Sequence, residues 1–249
     1  ESLCTPHIYD LNEYIGTGIH EMTICVSNVG YKTKGGHLTS PDTQTNWNGI
    51  TGRIELIGYK NAHAENVMLW CDIYSKTVRV TANITGGKSG KAVISAENFN
   101  SEKNHTPAVQ SFEYTDGKLD ALYKMGDDCL LWSEHEPNLY KLKIDIDGDV
   151  SEHIIGMREF RTEGGKFTIN GEKTFLRGKH DGMIFPKTAF APTDLDEWLR
   201  VMKISKSYGM NHYRYHTCCP PESAFIAADM LGIYMEPQLP FWGTITEEG

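Results

Sequence analysis

Apolar and polar residues alternate along much of the first two thirds of the chain. Val78-Arg-Val80-Thr-Ala82-Asn-Ile84 and Leu139-Tyr-Lys-Leu142-Lys-Ile144-Asp-Ile146 bring an apolar side chain to nearly every second position. That is the period of a strand with one face buried. Val67-Met-Leu69-Trp-Cys71-Asp-Ile73, Ala92-Val-Ile94-Ser-Ala96 and Val109-Gln-Ser-Phe112-Glu-Tyr114 follow the same grammar. Gly86-Gly87, Asp116-Gly117 and Asp147-Gly148 separate the runs, and Asp-Gly is a strong hairpin signal because both positions accept positive φ. About seven short strands with turns between them predict an immunoglobulin-like sandwich over residues 58–163. Trp70 and Trp132 read as its core.

Upstream the pattern is weaker. Met22-Thr-Ile24-Cys-Val26 alternates, and Ile50, Ile54 and Leu56 share one parity. Too few strands are present to close a sandwich, so this stretch reads as the tail of a β-sandwich. The first Met is Met22, and the chain is expected to begin inside a longer protein.

From Gly164 the period changes. Phe167-Thr-Ile169 predicts a strand, Asn170-Gly171 a type I′ turn, and Thr174 to Gly178 the next strand. Pro192-Thr193 opens a helix, with Thr193 and Asp196 as a capping box. Leu195, Trp198, Leu199 and Met202 recur at helical spacing. Gly209 closes that helix. Strand Met210–Tyr215 follows, then a helix opened by Pro220-Pro221 and closed by Gly232, then strand Ile233–Glu236. Strands alternating with helices predict parallel pairing. A doubly wound sheet and a (β/α)8 barrel both fit. No Gly-x-Gly-x-x-Gly follows a strand, which argues against dinucleotide binding. In a barrel, polar residues at strand C-termini build the site; here those are Lys179-His180-Asp181, Arg214, His216 and Glu236.

Composition adds boundaries. The 249 residues are 39% hydrophobic and 23% charged, ordinary for a globular chain. A net charge of −9 gives no electrostatic pull toward nucleic acid or an anionic membrane. No apolar run approaches the roughly 20 residues of a membrane helix. The six Cys are too sparse for a disulfide scaffold, and Cys25 and Cys71 read as buried thiols. His212, His216, Cys218 and Cys219 are metal-ligand types. On a strand, however, 212, 214 and 216 face one way, which puts the Arg214 cation among the ligands and repels a metal. A redox pair at Cys218-Cys219 is the less favoured reading of those thiols. Asn83-Ile-Thr85 and Asn104-His-Thr106 match the glycosylation sequon, a triplet common by chance.

Several motifs in order resemble the family 2 glycoside hydrolases, the β-galactosidase, β-glucuronidase and β-mannosidase family. Trp47-x-Gly49-Ile-x-Gly52 resembles the close of that family's jelly-roll domain. Leu131-Trp-Ser133 through Pro137-Asn-Leu139-Tyr140 resembles the lead into the last immunoglobulin-like strand. Gly156-Met-Arg158-Glu-Phe160, Phe167-x-x-Asn170-Gly171 and Leu176-Arg177-Gly178 resemble the barrel entry and first barrel strand. Gly209-x-Asn211-x-x-Arg214, Pro220 and Ala228-Asp229-x-x-Gly232-Ile233-x-x-Glu236 resemble its second and third strands. The resemblance implies a jelly-roll end over 1–57, an immunoglobulin-like sandwich over 58–163, and the first three strands of a TIM barrel over 164–249.

The resemblance also implies a retaining, exo-acting glycosidase using two carboxylates about 5–5.5 Å apart. The family carries its acid/base in an Asn-Glu pair after the fourth barrel strand and its nucleophile near the seventh. Neither has a counterpart here, so both are expected beyond Gly249 and the chain alone is expected to be inactive. The implied substrate-binding residues are Arg214, His216, Glu236, Trp242 and Asp181. The family's matching Arg orients the nucleophile; the alternative for Arg214 is a structural ion pair. Arg214-Tyr-His216-Thr is one residue shorter than the galactosidase pattern Arg-x-Ser-His, a departure that weakens any direct carry-over of galactose specificity. Trp242 would stack on a pyranose. No cofactor or metal is implied. The expected partner is a carbohydrate, with a homo-oligomer formed through the incomplete barrel, and the expected location is secreted or periplasmic. The contrasting reading is a non-catalytic carbohydrate-binding or adhesion module, with sandwiches as mere spacers as the plainest alternative.

Overall fold

The computed structural model describes residues 5–27, 49–50 and 52–239. The chain divides into two compact units. One holds Glu55–Arg177 with Ala228–Tyr234; the other is built on Gly178–Ala227 and includes the described residues from Met235 on.

The first unit begins with seven strands: β1 (His63–Asp72), β2 (Thr77–Thr85), β3 (Gly90–Asn98), β4 (Gln110–Tyr114), β5 (Lys118–Lys124), β6 (Tyr140–Ile146) and β7 (Asp149–Ile155). They form two sheets, in the orders β1-β2-β5 and β4-β3-β6-β7. Every pair within them is antiparallel. The alternating apolar positions meet between the sheets: Val78, Val80, Ile84, Ala92, Ile94, Leu119, Tyr123, Leu142, Ile144 and Ile146 share one buried cluster. Each large aliphatic side chain buried this way contributes roughly 1.5–3 kcal/mol. Asp116-Gly117 and Asp147-Gly148 take positive φ at both positions, as their hairpins require.

Three expectations fail in this unit and in the chain before it. Trp70 is not core: it stays 46% exposed. Val67, Leu69 and Cys71 take the inward parity of β1, which turns Trp70 outward. Trp132 is buried, but beside Leu139, Ile169 and Tyr234 in a separate cluster. Its indole N–H donates to the Asp229 carbonyl at 2.8 Å, and the Arg158 guanidinium lies 4.5 Å from its ring centroid. Third, residues 21–27 and 52–59 form no strand, and Ile24, Val26, Ile54 and Leu56 are exposed. An alternating segment becomes a strand only where another strand accepts its hydrogen bonds, and no ladder reaches these residues. Cys25 is exposed with them. Cys71 is inward, and burial pushes its thiol up to about 11.

β8 (Phe160–Glu163), β9 (Lys166–Ile169) and β10 (Glu172–Thr174) make a small antiparallel sheet in the order β10-β9-β8. Asn170 and Gly171, both at positive φ, turn β9 into β10. The strand expected from Thr174 to Gly178 is split. β10 ends its ladder at Thr174, and β11 (Gly178–Asp181) starts in another sheet.

Along the chain, α1 (Leu195–Ser207) leads to β12 (His212–Tyr215), then α2 (Glu222–Leu231) and β13 (Tyr234–Glu236); residues Ala228–Tyr234 of this run count with the first unit and the rest with the second. The sheet order is β11-β12-β13, and β11 runs parallel to β12. Asp194, not Thr193, caps α1: its side chain accepts the Glu197 N–H at 2.8 Å. The capping residue sits one position later than the Thr193–Asp196 spacing predicted. Gly209 and Gly232, at φ +82 and +70, end the two helices as expected.

Candidate functional site

The two faces of the β11-β12 ladder differ in chemistry. Register pairs Lys179 with Tyr213 and Asp181 with Tyr215 on one face, and Gly178 with His212 and His180 with Arg214 on the other. The first face lies against α1. Tyr213 and Tyr215 are fully buried; the Tyr213 hydroxyl meets Ser205 Oγ at 2.5 Å, and the Trp198 ring meets Tyr215 edge-on at 6.4 Å. Lys179 lies over the Tyr213 ring and pairs with Asp181 at 3.1 Å. The other face is polar and reaches solvent.

Glu236, at the end of β13, is the centre of that polar face. Arg214 Nε lies 3.4 Å from its Oε1, and His212 Nε2 lies 3.3 Å from its Oε2. Gln238 Nε2 donates to Oε1 at 3.4 Å. These are long contacts between side chains that keep 43% (Arg214) and 48% (Glu236) of their surface exposed. They fix the orientation of the carboxylate while leaving it accessible. Burial holds the His212 imidazole below the ordinary histidine range, and the neighbouring Glu236 charge works against that shift. His180 and His216 sit next to this group with their rings edge-on, centroids 5.1 Å apart. The His216 N–H donates to the Asp181 carbonyl at 3.0 Å and so carries the parallel ladder one step past β12.

Of the residues singled out in the sequence, Arg214 and Glu236 are therefore in contact, and His216 is beside His180. Asp181 points to the opposite face. It is buried, paired with Lys179, and accepts the Met183 N–H at 2.7 Å. Trp242 lies outside the described residues. His212 belongs to the cluster as a carboxylate partner rather than a ligand; its place two residues before Arg214 on one strand already puts both on one face. Gln238 had no signal in the sequence, because it comes from a loop without periodicity. The Cys218 thiol is buried and pushed up to about 12 by burial, which is unsuited to thiolate redox chemistry. Among the described residues no group of His, Cys, Asp or Glu is arranged to hold a metal ion. A cleft of about 500 Å³ lies in the first unit, lined by Ser133, Glu134, Asn138, Asn170, Lys173 and Thr174 among others.

The two-sheet sandwich is followed along the chain by strand–helix–strand units with polar residues at the strand ends. Residues 62–158 match the family model of the glycosyl hydrolases family 2. It is 26% identical over 260 residues to a β-galactosidase of Thermoanaerobacter pseudethanolicus, covering 98% of this chain and 34% of that one. It is 29% identical over 117 residues to a protein named putative β-glucuronidase from Formosa agariphila, covering 45% of this chain and 14% of that one. The fold is similar to that of the Parabacteroides merdae β-glucuronidase, with a TM-score of 0.60 at 21% identity over 73% of this chain and 24% of that one. The chain thus spans about a third or less of the length of its curated relatives. No described helix is long and apolar enough to cross a membrane.

Proposed function

We propose that these 249 residues are part of a retaining, exo-acting glycoside hydrolase that cleaves O-glycosidic bonds in oligo- or polysaccharides. In this reading residues 1–57 end a jelly-roll domain, 58–163 are an immunoglobulin-like sandwich, and 164–249 begin a TIM barrel. The observation that carries it is the Arg214–Glu236–His212 cluster at the strand ends of a chain whose sandwich matches a glycosidase family. A guanidinium is permanently charged, and its donor fork fits a carboxylate. Arg214 serves here to position a carboxylate near the sugar, with Glu236 and His216 offering acceptors and donors to sugar hydroxyls and Trp242 an apolar stacking surface.

A retaining mechanism needs two carboxyl groups about 5–5.5 Å apart across the scissile bond. Glu236 and Asp181 lie on opposite faces of the sheet and do not meet that need. We therefore assign this segment a binding and positioning role, with the bond-breaking carboxylates elsewhere in the enzyme. Polymeric substrates fit a secreted or periplasmic enzyme. Incubated with 4-nitrophenyl β-galactoside, β-glucuronide and β-mannoside, the 249-residue chain is expected to release no nitrophenol. Steady turnover by the chain alone would overturn the assignment. Arg214→Ala is expected to weaken calorimetric binding of the same glycosides by about tenfold, the worth of one charged hydrogen bond.

A further inference from the structure

The outward face of the β1-β2-β5 sheet carries a second group of sugar-compatible side chains, well separated in sequence from the strand-end cluster. Cross-strand register sets Trp70 opposite Arg79 and Arg79 opposite Leu122; the neighbouring row is Met68, Thr81 and Asp120. Trp70 is 46% exposed, and Met68 and Leu122 are each 55% exposed. Arg79 does not wander over this surface. Its Nε and Nη2 make a two-pronged pair with Asp120, at 2.9 and 2.7 Å, and its guanidinium carbon stands 5.8 Å from the Trp70 ring centroid. An indole, a guanidinium and a carboxylate are thus fixed in a line across three strands.

We propose that this face is a carbohydrate-binding surface, with a pyranose ring stacked against Trp70 and its hydroxyls on Arg79 and Asp120. A pyranose has an apolar C–H face and a rim of hydroxyls that both donate and accept. The indole matches the face. The Arg79–Asp120 pair offers a donor and an acceptor side by side at the rim. The same polarity argues against a second copy of the chain as the occupant. Arg79 lies at the middle of the patch, between Trp70 and Leu122, and a dry protein interface would desolvate its ion pair without replacing the lost water contacts. The choice of a neutral glycan rests on the glycosidase reading above; the geometry of the platform does not depend on it.

The test is calorimetry and tryptophan fluorescence on the 249-residue chain, titrated with cellohexaose, xylohexaose, mannohexaose and β-1,4-galactohexaose. At least one is expected to bind, with affinity reduced about tenfold by Trp70→Ala, reduced by Asp120→Ala, and unchanged by Lys91→Ala, an exposed position on the other sheet of the sandwich. Trp70→Phe keeps an aromatic ring at an exposed position and is expected to retain most of the affinity, which separates loss of stacking from loss of folding. Absence of binding by all four sugars overturns the proposal, as does binding indifferent to Trp70→Ala and Asp120→Ala. Binding abolished by Arg214→Ala alone would move the sugar to the strand-end face, leaving the proposed function standing and this inference refuted. Self-association removed by Trp70→Ala, with no sugar bound, would make the patch an interface between copies.

Discussion

Glu236 is a single carboxylate held by three side chains, two from β12 and one from a loop, and its influence on His212 can be measured. Burial lowers the His212 pKa because the imidazolium loses hydration, while the Glu236 charge favours the imidazolium. Glu236→Gln removes only the second effect. In an NMR pH titration His212 is therefore expected to titrate below the ordinary value of 6.5 in the native chain, and lower still in Glu236→Gln. An upward move would mean that the contact at 3.3 Å is not made in solution. Gly232 tests a different constraint. A Cβ there would stand 2.7 Å from the Glu134 carbonyl oxygen, at φ +70. Positive φ costs an L-residue about 1–2 kcal/mol, and backbone on both sides of the clash cannot swing aside. Gly232→Ala is expected to cost about 2 kcal/mol or more in urea unfolding.

At the scale of elements, the start of α1 shows how local signals mislead by one position. Thr193 and Asp194 are both good caps, and the spacing to Asp196 favoured the first. In the fold it is Asp194 that is extended and accepts from Glu197. Asp194→Ala is expected to cost about 1 kcal/mol in thermal unfolding, whereas Thr193→Ala should change little. The sandwich strands were legible where one parity is apolar and the other polar, as in β2 and β6. β1 was ambiguous because Met68 and Trp70 are as apolar as Leu69 and Cys71, so nothing local says which set faces in. β7 was harder: its exposed positions hold Val150 and Ile154, 50% and 44% exposed, while His153 is half-buried. The split between β10 and β11 was hidden for another reason. It depends on which strand each half pairs with, and pairing is not written in the segment itself. The candidate site divides the same way. Arg214 and Glu236 were readable as strand-end residues, but the side that Asp181 takes depends on the start of β11, which the sequence placed too early.

At the scale of the whole molecule, the two units differ in how completely their sheets are closed. In the first, seven strands enclose a continuous apolar cluster, with β2, β3 and β6 each paired on both sides. In the second, strands of four, four and three residues form the sheet, and β11 and β13 are its edges among the described residues. Unpaired N–H and C=O groups along an edge exchange readily and recruit other strands. Amides of β2, β3 and β6 should therefore be the slowest to exchange with deuterium, and those of β11 and β13 much faster. The same edges are expected to drive concentration-dependent self-association in light scattering, weakened by His180→Pro in β11: Asp181 turns its carbonyl toward β12, so the alternate His180 N–H is the donor on the open edge. Uniform protection across both units, together with a monomer mass at every concentration, would show instead that the short parallel sheet is self-sufficient. The packing of Trp198, Tyr213 and Tyr215 against one face would then outweigh the cost of its open edges.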